Sequence, residues 1–120
     1  MGNVKSHEDL QVWQMAIDFV TDLYKVTNNF PQSELYGLTN QIRRASVSIP
    51  SNIAEGSARN STKEYIQFLY IALGSTAEVE TQLLISKNLG YTNDTNLEGQ
   101  IKNIKGKLIN LIGSLKRKLK

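Results

Sequence analysis

The sequence predicts an all-α protein, an up-down antiparallel four-helix bundle in which residues 1–120 form a single domain. Two observations predict this fold. Apolar residues recur every three or four positions in four separate segments, which is the spacing of one helical face. A chain of 120 residues with 40% apolar and 21% charged residues also has the size and composition of one folded domain with one core.

The first two helices are predicted over residues 8–27 and 34–58. The apolar face of the first consists of Leu10, Trp13, Ala16, Ile17, Val20, Leu23 and Tyr24. The second helix has Ser33 as its predicted N-cap and an apolar stripe of Leu35, Leu38, Ile42, Ala45, Ile49 and Ile53. Pro50 lies inside this stripe. Because the apolar spacing continues in phase beyond it, we predict one helix kinked at Pro50 rather than two helices.

The third helix is predicted over residues 62–89, opened by a capping box of Ser61 and Glu64 and followed by Gly90 at the C′ position. This helix is apolar on more than one face, so it is expected to be a central or interface helix. Its small residues, which would let another helix approach closely, are Ala72, Gly74, Ser75 and Ala77.

The fourth helix is predicted over residues 96–119, with Thr95 and Glu98 as a second capping box. Its apolar seam consists of Leu97, Ile101, Ile104, Leu108, Leu111, Leu115 and Leu119. Glycines fall seven apart on the opposite face, at Gly99, Gly106 and Gly113. This face is either a weakly stable solvated surface or a smooth groove for another backbone.

Several classes of function lack their sequence signals. The chain has no cysteine and one histidine, His7, so thiolate metal sites and disulfides are excluded, no cofactor is expected and a cytoplasmic location fits best. The longest uncharged apolar stretch, Tyr65–Ala77, has 13 residues and is too short to cross a membrane. There is no phosphate loop or nucleophile elbow, and the serines around Pro50 are expected to accommodate the proline, so an enzyme is not predicted. The first six residues match a weak myristoylation pattern.

Charge is distributed unevenly along the chain. From Leu97 onward there are seven cations and one acid, a balance of +6, whereas the preceding residues hold seven cations and ten acids, a balance of −3. Cations near a helix C-terminus are stabilised by the helix dipole, but such clustering is also typical of proteins that bind nucleic acid. Both interpretations stay open. The candidate nucleic-acid-binding residues are Arg43, Arg44, Arg59, Lys63, Lys102, Lys105, Lys107, Lys116, Arg117, Lys118 and Lys120.

Five segments, in order, resemble one family. They are residues 10–16 (LQVWQMA), 30–39 (FPQSELYGLT), 41–45 (QIRRA), 48–56 (SIPSNIAEG) and 74–78 (GSTAE). The chain resembles the bacterial four helix bundle proteins that are encoded in intervening sequences of large-subunit ribosomal RNA genes and are related to the accessory variability protein of diversity-generating retroelements. The resemblance covers about residues 10–91, and the fourth helix matches only loosely.

The resemblance implies an up-down bundle that assembles into a homopentamer without established enzymatic activity. In the retroelement branch, the ring is a basic accessory subunit that binds a reverse transcriptase and nucleic acid. The present chain is less basic, with a net charge of +3. We therefore hypothesise a non-enzymatic homo-oligomer that binds RNA through its fourth helix or assists a nucleic-acid enzyme. The alternative is a protein-binding scaffold with no nucleic-acid role.

Overall fold

A computed structural model describes residues 10–119, and the regular structure of this part of the chain is entirely helical. The elements are α1 (Gln11–Thr27), a 3₁₀ turn (Gln32–Glu34), α2 (Leu38–Ser57), α3 (Thr62–Asn88) and α4 (Asn96–Lys118). Met1–Asp9, which include His7 and the myristoylation pattern, lie outside the described residues, as does Lys120.

The four helices pack as an up-down antiparallel bundle, as the sequence predicts. Each helix packs against the next along the chain, and α4 returns to pack against α1. Polar contacts show the directions: the end of α1 meets the start of α2 at Thr27 and Arg43, and the end of α3 meets the start of α4 at Lys87 and Glu98. The bundle measures 48 × 23 × 19 Å.

The core runs through all four helices, and its largest fully buried apolar side chains are Phe19, Leu23, Ile42, Ile49, Ile53, Leu69, Val79, Leu97, Ile101, Ile104 and Leu108. Each such side chain contributes about 1.5–3 kcal/mol to the free energy of folding. In α4 the predicted seam is buried from Leu97 to Leu108. Nearer the end of α4 the core includes Ile112 rather than Leu111, which is half-buried, and Leu119 is exposed.

The predicted core face of α1 is partly wrong. The buried row is Val12, Ala16, Phe19, Leu23 and Thr27. Ala16 and Leu23 were predicted correctly. Ile17 and Tyr24, which were predicted to face the core as well, are 39% and 41% exposed, and Trp13 packs at the core's edge. Two apolar rows lie side by side on this helix, so periodicity alone does not decide which one faces the bundle axis.

The start of α2 also differs from the prediction. Ser33 lies in the 3₁₀ turn rather than capping α2, and the non-helical backbone of Gly37 separates that turn from Leu38. The Glu34 carboxylate accepts a hydrogen bond from the Leu38 amide at 3.2 Å. Beyond this point α2 runs unbroken through the buried Pro50, so the predicted continuity of this helix is confirmed.

Helix caps fix the two remaining connections. Ser61 Oγ accepts a hydrogen bond from the Glu64 amide at 3.3 Å, so the predicted N-cap of α3 is confirmed. The predicted cap of α4 is wrong: Thr95 makes no side-chain capping bond, and Asp94 Oδ1 accepts from the Leu97 amide instead. Gly90 ends α3 with a φ of 79°, a left-handed conformation that glycine adopts without strain.

Candidate nucleic-acid interface

The last turn of α4 carries three adjacent cations, Lys116, Arg117 and Lys118, and all three are exposed. None of them has a carboxylate oxygen within 4.0 Å among residues 10–119. Lys116 Nζ lies 5.0 Å from the centre of the Tyr70 ring of α3, which is cation–π distance. Tyr70 was not among the predicted site residues, since a helical tyrosine spaced like a core residue gives no signal in the sequence.

Earlier in α4, Lys102 and Lys107 are likewise exposed, with no carboxylate within 4.0 Å in the described part of the chain. Lys105 differs because its Nζ lies 3.3 Å from Glu80 Oε1 of α3, which partly neutralises it. We use the name α4 basic surface for the exposed cations without such a partner, namely Lys102, Lys107, Lys116, Arg117 and Lys118.

The exposed face of α4 between these cations has few projecting side chains, because glycines occupy it. Gly99 and Gly106 are exposed, and a Cβ atom added to either would meet no heavy atom within 4 Å. Gly113 is half-buried, and its added Cβ would lie 3.5 Å from Arg117 Nη1. The cations therefore border a strip on which an approaching group meets little side-chain obstruction.

Arg43 and Arg44 lie at the opposite end of the bundle from Lys116. Arg43 is engaged within the fold: its Nε donates to Thr27 Oγ1 at 2.8 Å, and one terminal nitrogen donates to the Tyr24 carbonyl oxygen and to Asn28 Oδ1. Arg44 is exposed and lines a polar pocket between α2 and α3. The two adjacent arginines therefore do different things, and neither adjoins the end of α4.

Arg59 and Lys63 lie at the same end of the bundle as the last turn of α4. Arg59 is paired with Glu55 at 3.0 Å and is 4.0 Å from Glu64, so its charge is largely compensated. Lys63 is exposed in the first turn of α3, with no carboxylate within 4.0 Å among the described residues. Of these two candidates, only Lys63 adds unpaired charge near the α4 basic surface.

The pocket between α2 and α3 has a volume of about 400 Å³ and is lined by Asn40, Gln41, Arg44, Ala45, Ser48, Ser75 and Glu78. At its floor the Ser48 and Ser75 hydroxyls lie 2.9 Å apart, and Asn52 Nδ2 donates to Ser48 Oγ. Ser46 instead bonds the Arg43 carbonyl oxygen, as expected of a serine near a helical proline. These serines link α2 to itself and to α3.

Two further properties bear on function. Within residues 10–119, no three acidic or histidine side chains lie close enough together to hold a metal ion. No helix described by the structure contains an apolar stretch long enough to cross a membrane.

Comparison with known families decides the assignment. A model of the family described as 23S rRNA-intervening sequence protein matches residues 8–113, which include α1, α2, α3 and most of α4. The chain belongs to this family. No curated protein sequence matches the chain. The description of the 23S rRNA-intervening sequence proteins names no enzymatic activity, and the match ends before Lys116, so it does not bear on the last turn of α4.

Proposed function

We propose that this member of the 23S rRNA-intervening sequence protein family is a non-enzymatic homo-oligomer that binds RNA through the α4 basic surface. One observation carries the RNA-binding part of the proposal: Lys116, Arg117 and Lys118 are adjacent, exposed and without a carboxylate partner in the described chain. Cations that are not neutralised within the fold remain available for an anionic partner.

The positive charge at the C-terminus of α4 is larger than the partial negative charge of the helix dipole that it could neutralise. The C-terminus of a helix carries a negative charge of about one half, whereas the last turn of α4 holds three cations. The excess extends along α4, where Lys102 and Lys107 are also unpaired among the described residues. A row of positive charges beside a strip of glycines that lack side chains suits the phosphate backbone of RNA. Contacts to phosphate do not by themselves distinguish base sequences.

Exposed apolar side chains support the homo-oligomer. On α3 the exposed fractions are 45% for Tyr70, 53% for Ile71, 57% for Leu84 and 43% for Ile85. Large contiguous apolar surfaces are unusual on monomers, and burying them yields about 25 cal/mol per Å². We propose a pentamer because of the family resemblance. An assembly repeats the α4 basic surface once per copy, which raises its avidity for a long polyanion.

An electrophoretic titration with a structured RNA at 50 and at about 200 mM salt tests the RNA-binding proposal, because phosphate binding releases counterions and weakens steeply as salt rises. We expect the wild type to bind at low salt and to lose at least about tenfold in affinity at the higher salt. No binding at either salt concentration would overturn the proposal.

The second candidate function is a scaffold that binds another protein, such as a nucleic-acid enzyme, without contacting nucleic acid. The exposed apolar side chains of α3 favour it, since they suit a protein partner as well as a second copy. In this case the α4 lysines serve solubility, and the RNA titration gives no binding.

A further inference from the structure

The outer face of α3 is almost free of charge. We call its exposed residues the α3 ridge: Tyr70, Ile71, Gly74, Ala77, Glu78, Thr81, Leu84 and Ile85. At the edges of the ridge, Tyr70 contacts Lys116 of α4 and Glu78 borders the pocket shared with α2. A Cβ added at Gly74 would meet no heavy atom within 4 Å, so the middle of the ridge is open. Bulky apolar residues precede and follow this open segment along the ridge. Glu78 is the one charged member of the ridge.

A second apolar surface lies on a different side of the bundle, between α1 and α2. It is a groove of about 330 Å³ lined by Trp13, Ile17, Val20, Thr21, Val47, Pro50, Ser51 and Ala54. None of these residues is charged, and Ile17 and Val47 are 39% and 38% exposed. Along α1 the groove extends from Trp13 to Thr21, about 12 Å at 1.5 Å per residue, which is the length of two helical turns.

Each surface contains or adjoins one charged residue without an ion-pair partner. Arg44 does not line the groove, but it is exposed on α2 one turn before Val47, the first α2 residue that does, so the end of the groove adjoins it. Glu78 is exposed in the middle of the α3 ridge. Both also border the pocket between α2 and α3, yet neither has an oppositely charged group within 4.0 Å among residues 10–119. The groove thus has an unpaired cation beside its end, and the ridge has an unpaired anion.

We infer that the α3 ridge of one copy packs into the α1–α2 groove of a second copy of this chain, with Glu78 of the ridge pairing with Arg44 beside the end of the groove. The inference rests on the proposed homo-oligomer and names the surfaces that form it. The segment from Gly74 to Thr81 spans about 11 Å, which matches the length of the groove. The open backbone at Gly74 allows the two helices to approach closely.

The charges favour contact between the two unlike surfaces over contact between two like surfaces. A ridge-to-ridge dimer would bring two Glu78 carboxylates together, and a groove-to-groove dimer would bring two Arg44 side chains together. Contact between like charges costs free energy, whereas ridge against groove pairs opposite charges. Because this contact leaves one free ridge and one free groove, it repeats until a ring closes. The cations of the α4 basic surface belong to neither surface, although Tyr70 of the ridge lies 5.0 Å from Lys116.

Charge reversal in trans tests the interface. Arg44→Glu alone places two carboxylates at each contact, and Glu78→Arg alone places two cations there, so each variant is expected to raise the concentration needed for assembly at least about tenfold. In an equimolar mixture, the carboxylate at position 44 of one variant meets the guanidinium at position 78 of the other. Assembly is therefore expected to recover in part, because a ring of five copies that alternates the two variants keeps one like-charged contact. An effect within one chain cannot produce this recovery. Lys25→Glu and Asp18→Arg, outside both surfaces, are the matched controls.

A variant that blocks the contact sterically tests the interface even if a charge-reversal variant does not fold. Gly74→Lys adds a side chain where space is open, so it is expected to fold at least as stably as the wild type and yet assemble at least about tenfold more weakly. Light scattering or native mass spectrometry reports assembly, and circular dichroism reports folding.

Reduced assembly of the folded variants, with recovery in the mixture, supports the interface. Assembly of Gly74→Lys and of the folded charge reversals at wild-type concentrations overturns this interface alone and leaves the homo-oligomer standing. A wild-type monomer of 13.5 kDa overturns the interface and the homo-oligomer together, while the RNA titration still tests the α4 basic surface.

Discussion

The guanidinium of Arg43 in α2 ties down the end of α1 through Thr27, because its Nε donates to Thr27 Oγ1 at 2.8 Å while that hydroxyl donates to the Leu23 carbonyl oxygen at 2.8 Å. The same guanidinium lies 4.5 Å from the centre of the Tyr24 ring. It donates further hydrogen bonds to the Tyr24 carbonyl oxygen and to Asn28, at the C-terminus of α1. Through these contacts, the Arg43 side chain holds the C-terminus of α1 against α2.

We predict that Arg43→Gln lowers the free energy of unfolding by about 1–2 kcal/mol, since it removes charge-assisted hydrogen bonds to a partly buried site. Lys107→Gln is the control, because Lys107 is exposed and lies outside the proposed interface between copies, and the expected change is within about 0.5 kcal/mol. Urea denaturation followed by circular dichroism measures both. Equal effects of the two substitutions would contradict the distinct role of Arg43.

Gly56→Ala is expected to destabilise the bundle although alanine is the better helix former. The added Cβ would lie 2.7 Å from Phe68 Cβ and 3.3 Å from the Tyr65 carbonyl oxygen, so α2 and α3 would have to separate. Such overpacking costs about 1–3 kcal/mol, which exceeds the gain in helix propensity of about 1 kcal/mol.

Gly106→Ala is the control for that substitution, because its added Cβ meets open space. We expect it to stabilise the protein by about 0.5–1 kcal/mol through helix propensity alone. Thermal unfolding of the two variants should therefore shift in opposite directions. A Gly56→Ala protein more stable than the wild type would show that α2 and α3 do not approach as closely as described.

Replacing Lys116, Arg117, Lys118 and Lys120 together by glutamine is expected to leave the fold intact, because exposed substitutions usually change stability by less than about 0.5 kcal/mol each. RNA affinity at low salt should fall, and its dependence on salt should become shallower as phosphate contacts are lost. The electrophoretic titration measures both quantities.

Unchanged affinity of this variant would move the RNA site away from the end of α4, and Lys63, Arg44, Arg59 and Arg43 would be tested next. A variant with Glu55, Glu64 and Glu80 replaced by glutamine and Asp18 replaced by asparagine controls for net charge, since it removes four charges of the opposite sign. It is expected to bind RNA at least as tightly as the wild type.

The ionisation of Tyr91 provides a pH test of the contact between the two connections at one end of the bundle. Tyr91 Oη donates a hydrogen bond to Glu34 Oε2 at 2.8 Å, and this bond, with smaller contributions from burial and from the Glu34 charge, raises the pKa of Tyr91 above its ordinary value of 10.0. Because the folded state favours the neutral phenol, this contribution to stability is complete below pH 10 and is lost as pH rises through the raised pKa.

The difference between the absorbance titrations of the wild type and Tyr91→Phe isolates this phenol, which should ionise above pH 10. Glu34→Gln removes the charge, and the pKa of Tyr91 should move back toward its ordinary value in that variant. A Tyr91 phenol that ionises at or below pH 10 in the wild type would contradict the contact.

The sequence by itself determined the class of fold, the passage of α2 through Pro50 and the cap of α3 at Ser61, because helix periodicity and capping are local properties of the chain. It also identified the cations of α4, since a count of charges needs no coordinates. The local sequence pattern did not predict the structure where it was compatible with two alternatives. It did not show which of the two apolar rows of α1 is buried, or whether Asp94 or Thr95 caps α4.

Only the tertiary structure separated the roles of cations that are equivalent in sequence. Arg43 and Arg44 are neighbours, yet one fastens α1 and the other is exposed, because adjacent residues on a helix point about 100° apart and meet different elements. Similarly, Lys105 is paired because Glu80 of α3 lies opposite it, whereas Lys107, turned about 200° from Lys105 around the helix, is exposed. Whether a charge is free or compensated depends on groups distant in sequence, and packing alone brings those groups within reach.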